Sequence, residues 1–249
     1  MEIIYGINPL VEALRMEPCR LGKIAVAKGM TRGTLHSILS LAEAKKIPVL
    51  FKEKREIDKL TEHGLHQGIV GFYPSFTYAD LEQIMKNRHP ASLHHLILLL
   101  DGITDPQNLG AMIRTAHCHG ANGVIIPEHR TAKVTAAVIK ASAGAALLTP
   151  VACVPNLSRA MDDLKQRGFW IYGADTHAGR DIAGMTYEGN VGLVMGSEGH
   201  GMRSLTRKQC DFLLSVPMRG RIDSLNVSVA AGIILHDVLR KWADREGVE

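Results

Sequence analysis

An α/β fold in two parts follows from three features of this sequence. From Leu93 to the C-terminus, short apolar runs alternate with stretches of helical spacing, the pattern of a mostly parallel sheet covered by helices. A shorter alternating section occupies residues 1–73. Between them, Pro74, Ser75 and Pro90 punctuate residues 74–91, where Lys86 and Arg88 offset Asp80 and Glu82; that is the composition of a surface linker. The expected layout is a small α/β domain at 1–73, a linker at 74–91 and a larger α/β domain at 92–249.

In the first section, Asn8–Arg15 reads as a short helix with Pro9 at its first position, where the missing N–H is harmless. Lys23–Ala27 reads as a strand. Leu35, Ile38, Leu39 and Ala42 set a helix over Thr34–Lys46, with Thr34 as its cap. Val49–Phe51, Glu56–Glu62 and Gly68–Phe72 follow as strand, helix and strand, the last two joined by a turn at Gly64–Gly68. The linker has room for a helix at Tyr78–Asn87. In the larger section the predicted strands are Leu96–Leu100, Gly123–Ile126, Val151–Val154, Trp170–Ala174, Val191–Met195 and Phe212–Val216. The predicted helices are Leu109–His119, Ala132–Ala146, Leu157–Arg167, Ser204–Cys210 and Ser224–Arg245. Asn108 and Ser224 are read as helix caps, and Asn156 and Gly168 bound the third of these helices.

Composition excludes several classes. At 46% hydrophobic and 22% charged the chain is globular. Cys19, Cys118, Cys153 and Cys210 are scattered without a CxxC pair, which argues against a zinc ribbon or disulfide scaffold and for a reducing, cytoplasmic setting. The opening MEIIYGINPL lacks a leader pattern, and no stretch reaches membrane-spanning length. No metal site is expected: His117 and His119 lie two apart on a helix, and His63 and His66 have no third ligand nearby. Residues 1–73 hold 11 Lys/Arg against 8 Asp/Glu, and residues 92–249 hold 16 against 15. The denser positive charge of the small domain suits nucleic acid, although few aromatics are available there for base stacking.

Three stretches carry the chemistry. In Asp101–Gly120, Leu109, Met112, Ile113 and Ala116 form one helical face. Arg114 lies on the other side, with the small residues Gly110, Ala111 and Cys118 around it. On this stretch alone an ordinary solvated arginine is as good a reading as a functional one. The second stretch, Leu193–Arg203, places Gly196-Ser197-Glu198-Gly199-His200-Gly201 after a strand. Three glycines allow close approach to a flat ligand. Glu198 and the lack of a Lys-Ser/Thr ending argue against a phosphate loop. The position late in the chain argues against a dinucleotide fingerprint, so an adenosine-type ligand suits the loop better. The third stretch, Val216–Ser228, puts polar Ser224, Asn226 and Ser228 at the mouth of an apolar helix, where they need partners.

Together, in this order, the three stretches resemble the three motifs of the SpoU branch of the SPOUT RNA methyltransferases, over about residues 95–245. Residues 1–73 look like the small RNA-binding domain attached to many members. The resemblance implies S-adenosylmethionine as cofactor, a ribose 2′-hydroxyl as acceptor, a guanosine of 23S rRNA as its site, a trefoil knot in the C-terminal domain and a homodimer. It implies that Gly196, Val216 and Leu225 bind the cofactor, with Met195 and Met218 beside them. Asn108, Arg114, Glu198, Ser224 and Asn226 match the family's active-site set. A guanidinium stays protonated, so Arg114 is expected to position a phosphate and the hydroxyl. Glu198 is expected to orient Arg114 or Asn108. The alternatives are a tRNA substrate for the same chemistry, or an RNA-binding relative without catalysis. A nicotinamide-dependent oxidoreductase is disfavoured by the lack of an early GxGxxG.

Overall fold

A computed structural model describes residues 2–30, 32–62, 64–87 and 92–246. The chain divides into two compact units, Met1–Thr77 with Lys133–Leu148, and Tyr78–Ala132 with Thr149–Glu249. The first unit opens with β1 (Glu2–Tyr5), α1 (Ile7–Arg15), β2 (Lys23–Ala27), α2 (Arg32–Ala44), β3 (Val49–Lys52), α3 (Lys54–Leu60) and β4 (Ile69–Tyr73). Its sheet runs β1-β4-β2-β3, with β4 antiparallel to both neighbours and β3 parallel to β2. The strand β1 is absent from the sequence expectation, because four residues are too few to display a period. The helix α1 starts at Ile7, so Pro9 is its third residue and not its first. Proline is tolerated there because first-turn N–H groups have no intrahelical partner. Gly6, at φ +98°, makes the turn into it. The helix α2 begins two residues before Thr34; the Thr34 side chain, His63, Arg88 and Pro90 lie outside the described residues.

The second unit begins inside the stretch read as a linker. Ala79 pairs with Ala152, and α4 (Leu81–Lys86) follows with Asp80 capping it. Ile84 of α4 is fully buried against the core, a burial worth about 2 kcal/mol. Residues 78–87 are thus a packed element of this unit. Next come β5 (Leu96–Asp101), α5 (Pro106–Cys118) and β6 (Gly123–Pro127). Gly123 admits this packing, since a Cβ there would meet Ile84 Cγ1 at 2.8 Å and the Pro150 carbonyl oxygen at 2.7 Å.

The helix expected over Ala132–Ala146 is two short ones, α6 (Ala136–Ala141) and α7 (Ala145–Leu148), and both belong to the first unit. Ala143 (φ +53°) and Gly144 (φ +96°) break the run, because left-handed backbone cannot continue a helix. The chain then adds β7 (Val151–Val154), α8 (Leu157–Gln166), β8 (Phe169–Ala174), β9 (Asn190–Gly196), α9 (Ser204–Gln209), β10 (Phe212–Leu214) and α10 (Val227–Glu246). All six strands of this unit are parallel, in the order β10-β8-β9-β5-β6-β7. Every residue of β5 is buried, which is why it reads as an unbroken apolar run. Ile97, Leu99, Ile125, Val194, Met161 and Leu164 fill the core on one face. The register sets Asp101 opposite Gly196, so the segments after β5, β9 and β10 leave the same rim of the sheet. That rim is where parallel sheets bind ligands.

Candidate active site

The loop after β9 is tied to itself and to the sheet. Ser197 N–H donates to the Gly201 carbonyl at 3.0 Å, and Gly201 N–H returns to the Ser197 carbonyl at 2.9 Å. Gly199 (φ +80°) and Gly201 (φ +63°) make this turn possible. Gly196 has a different task. A Cβ there would lie 2.2 Å from both Gly201 C and Met202 N, so the bare backbone serves the loop's own return path. The loop's far end is pinned by Asp101, which is buried. Its carboxylate accepts from Arg203 N–H at 2.8 Å and from Arg203 Nε at 2.6 Å. A charge buried in this way needs such a partner.

The helix α5 starts at Pro106, and its cap is Asp105, not Asn108. The Asp105 carboxylate accepts from the N–H groups of Gln107 (3.1 Å) and Asn108 (3.3 Å). With Pro106 fixed at the first position, Asn108 sits in the first turn and its side chain is released for other work. Its Nδ2 donates to Glu198 Oε1 at 2.9 Å. Asn226 Nδ2 donates to the same Glu198 oxygen at 2.8 Å and to Asn108 Oδ1 at 3.0 Å. Asn226 is also the cap of α10, since its Oδ1 accepts from Ser228 N–H at 2.9 Å and Val229 N–H at 3.4 Å. Ser224, read as that cap, lies two residues before it because the helix begins only at Val227.

Glu198 and Asn226 line a cavity of about 760 Å³, within the range of small-molecule sites. Met195, Gly196 and Glu198 line it from the β9 end. Val216 and Met218 line it beyond β10, and Ser224, Leu225 and Asn226 ahead of α10. Asn108 reaches the cavity through Glu198. Arg114 does not join the cluster: it is exposed, and among the described residues its side chain makes no hydrogen bond or ion pair. Of its small neighbours, Cys118 is exposed while Gly110 is buried. Glu198 therefore orients Asn108 and Asn226, and not Arg114.

The comparisons with known proteins bear on this geometry. Residues 95–236 match the SpoU rRNA Methylase family. This chain belongs to that family. Residues 3–79 match the RNA 2′-O ribose methyltransferase substrate-binding family. The 23S rRNA (guanosine-2′-O-)-methyltransferase RlmB of Pseudomonas putida is 40% identical over 244 residues, 97% of each chain. The putative TrmH family tRNA/rRNA methyltransferase YacO of Bacillus subtilis is 37% identical over 240 residues, 96% of each. The SpoU methyltransferase AviRb of Streptomyces viridochromogenes, solved in complex with AdoMet, superposes with a TM-score of 0.79 at 23% identity, covering 97% of this chain and 90% of that one; it matches in fold.

The cavity of this SpoU methylase fits S-adenosylmethionine, the family's cofactor. Val227, Ala230 and Ile234 give it an apolar floor, while Glu198 and Asp223 bring negative charge. That donor set suits a cationic nucleoside and not a phosphate. The one arginine in the lining, Arg207, is paired with Asp175. Burial by itself would raise the Asp175 carboxyl, but the hydrogen bonds from Arg207 and the His177 N–H outweigh it and hold Asp175 below its usual value. Sequence reading missed this pair, and the Asp101–Arg203 clamp too, because each joins residues far apart in the chain. Burial pushes the Cys210 thiol up to about 12. No group of three His, Cys, Asp or Glu side chains among the described residues could hold a metal ion. None of their helices is long and apolar enough to cross a membrane.

Proposed function

We propose that this chain moves the methyl group of S-adenosylmethionine to a ribose 2′-hydroxyl of RNA, at a guanosine of 23S rRNA. The observation that carries the reading is the convergence of Asn108, Glu198 and Asn226 on one carboxylate oxygen at the mouth of the cavity. When bound, the cofactor supplies an electrophilic methyl on a cationic sulfur. Gly196, Val216 and Leu225, which line the cavity with Met195, Met218 and Ser224, would hold it. The two asparagine N–H groups occupy Glu198 Oε1, and Oε2 makes no bond among the described residues. Glu198 Oε2 is the acceptor we assign to the hydroxyl proton as the oxygen–carbon bond forms and the sulfur–carbon bond breaks. Arg114, permanently charged and outside the Glu198 cluster of this chain, would hold a phosphate of the bound RNA so that the hydroxyl lies in line. The 40% identity to a relative named for 23S rRNA guanosine supports the substrate. Four free cysteines suit the cytoplasm as its place.

The test is transfer of labelled methyl to unmodified 23S rRNA and, separately, to tRNA, with the modified nucleotide mapped. Arg114→Ala should fold, bind S-adenosylmethionine nearly normally by calorimetry, and lose on the order of 10²-fold or more in single-turnover rate. Arg114→Lys should rescue little, since a fork becomes a point charge. Near-native turnover in Arg114→Ala would return the residue to a solvated surface role.

The same reading includes a homodimer and the trefoil threading, both of which rest on family membership. For the dimer there is a further support. Val229 and Ile233, four apart on α10, are 50% and 37% exposed, and Leu225 ahead of them is 37% exposed, an apolar strip suited to burial by a second copy. Light scattering at micromolar concentration should give twice the chain mass; a stable, active monomer would remove the dimer.

A further inference from the structure

The second cavity of the larger unit lies at the other end of β8 from the cofactor cavity. It encloses about 180 Å³ and is lined by Trp170, Tyr172, Phe212, Arg180, Glu188 and residues 184–186. Trp170 is 46% exposed, although it sits in a sheet between buried Phe169 and Ile171. Its ring centroid is 5.7 Å from that of Phe212, which in turn stacks on Tyr172 at 5.0 Å with 21° between the planes. The result is an aromatic platform at the edge of the sheet.

Just past β10 the β8–β9 connection closes the edge of the sheet: Ser215 N–H donates to the Arg180 carbonyl and Ile182 N–H to the Ser215 carbonyl, each at 2.9 Å. The chain between the lining residues Thr186 and Glu188 is tied down at Tyr187. Tyr187 is buried, its hydroxyl donates to Asp237 at 3.1 Å, and its carbonyl accepts from Trp242 Nε1 at 3.0 Å. Tyr172 O–H bonds the Thr186 carbonyl at 3.3 Å. At Gly184 a Cβ would meet nothing within 4 Å, so the slot is open. Arg180 and Glu188 are both exposed, and among the described residues neither has an ion-pair partner.

We propose that this slot takes an unpaired guanine of the RNA substrate. The base would stack on the exposed Trp170 ring, with Phe212, inclined 54° to it, closing one side. The Glu188 carboxylate, an acceptor only, suits the N–H donors at N1 and N2 of guanine and meets a lone pair at N1 of adenine. Arg180 neutralises the adjoining phosphate. The same β8–β9 segment lines both cavities, with Thr176 and His177 at the large one and Arg180 to Glu188 at the small one. Trp170 and Ala174 are four residues apart on β8, about 13 Å, a separation that a few nucleotides of single strand span. The inference rests on the RNA methyltransferase reading for its biological sense, but the slot is testable without it.

The probes are guanosine, adenosine and uridine 5′-monophosphates, followed by the tryptophan fluorescence of the full chain, with Trp170→Phe as the control that isolates the Trp170 signal. Guanosine monophosphate should quench saturably, and several-fold more tightly than the other two. Glu188→Gln should erase that preference. In methyl-transfer assays, Trp170→Ala should raise KM for RNA on the order of tenfold. It should leave S-adenosylmethionine affinity and kcat at saturating RNA unchanged, and Trp170→Phe should restore most of the loss. Arg180→Ala should lower the salt dependence of RNA binding by about one phosphate contact. No quenching by guanosine monophosphate, or a Trp170→Ala enzyme with wild-type KM for RNA, would overturn the proposal. Loss of self-association in Trp170→Ala would assign the face to a second copy instead. If RNA is not methylated at all while guanine still quenches Trp170, the methyltransferase reading falls and the base slot stands.

Discussion

Ser197–Arg203 and Pro217–Asn226 both wall the large cavity, yet they are held in different ways. The first is closed by the reciprocal Ser197–Gly201 bonds and anchored by a buried carboxylate at Asp101. In the second, among the described residues, none of residues 217–225 makes a hydrogen bond, and Ile222 is 76% exposed. Only at Asn226, where the chain meets Asn108 and Glu198 and enters α10, does the second segment become fixed. One wall is finished before any ligand arrives, and the other has a fixed end and a free middle. Segments with exposed backbone and few buried contacts open at little cost, and such segments commonly close over a bound ligand. The division suggests that the glycine loop sets where the cofactor sits and the second segment follows it.

The largest break in that comparison comes from Gly196→Ala. The added methyl would overlap Gly201 C and Met202 N at 2.2 Å, and both are backbone, so neither can rotate away. The loop must lift from the β9 end and pull on the Arg203–Asp101 clamp. Overpacking of this kind costs about 1–3 kcal/mol, and cofactor affinity should fall on the order of 10²-fold as the wall shifts. Thermal unfolding and calorimetric titration with S-adenosylmethionine check both halves. Wild-type affinity in Gly196→Ala would mean that the first wall is not the fixed one.

How much of this was legible in the sequence depends on the range of each interaction. The six parallel strands are plain in the chain because each is a run of apolar residues between turn signals, and β5 is buried along its whole length. Asn156 and Gly168 bound α8 as read, since caps are local. Errors come where two local solutions compete. Asp105 and Asn108 are both good caps, and Pro106 decides for Asp105 by taking the first helical position. Ser224 and Asn226 compete likewise, and the pull of Glu198, 28 residues away, favours Asn226. The apolar spacing of Val134, Val138 and Ile139 continues past a left-handed turn at Ala143–Gly144 that no period reveals. The resemblance names Asn108, Glu198 and Asn226 as one set, but their bonds span 90 and 118 residues, and only folding brings them to one oxygen. The Asp101–Arg203 pair lies inside the quoted motifs without any sequence signal of its role, because 102 residues separate its members.

The smallest expected effect sharpens the comparison from the other wall. Ile222→Ser changes a side chain that is 76% exposed in a stretch without hydrogen bonds. Substitutions at such positions usually shift stability by no more than about 0.5 kcal/mol. The same stretch should show its character in hydrogen exchange. Without cofactor, the amides of residues 218–225 should exchange almost as fast as an unfolded chain, whereas Ser197 and Gly201, whose N–H groups are bonded across the loop, should be protected. With S-adenosylmethionine bound, the slow set should stay slow and the fast set should slow down, because Met218 and Leu225 then have a ligand to cover. If Ile222→Ser weakens cofactor binding, the loss should appear as faster dissociation, since an exposed apolar side chain near the cavity can act only after the ligand has entered. Equal protection of both walls without cofactor would show that the second segment is as finished as the first, and the division between a fixed wall and a following one would have to be given up.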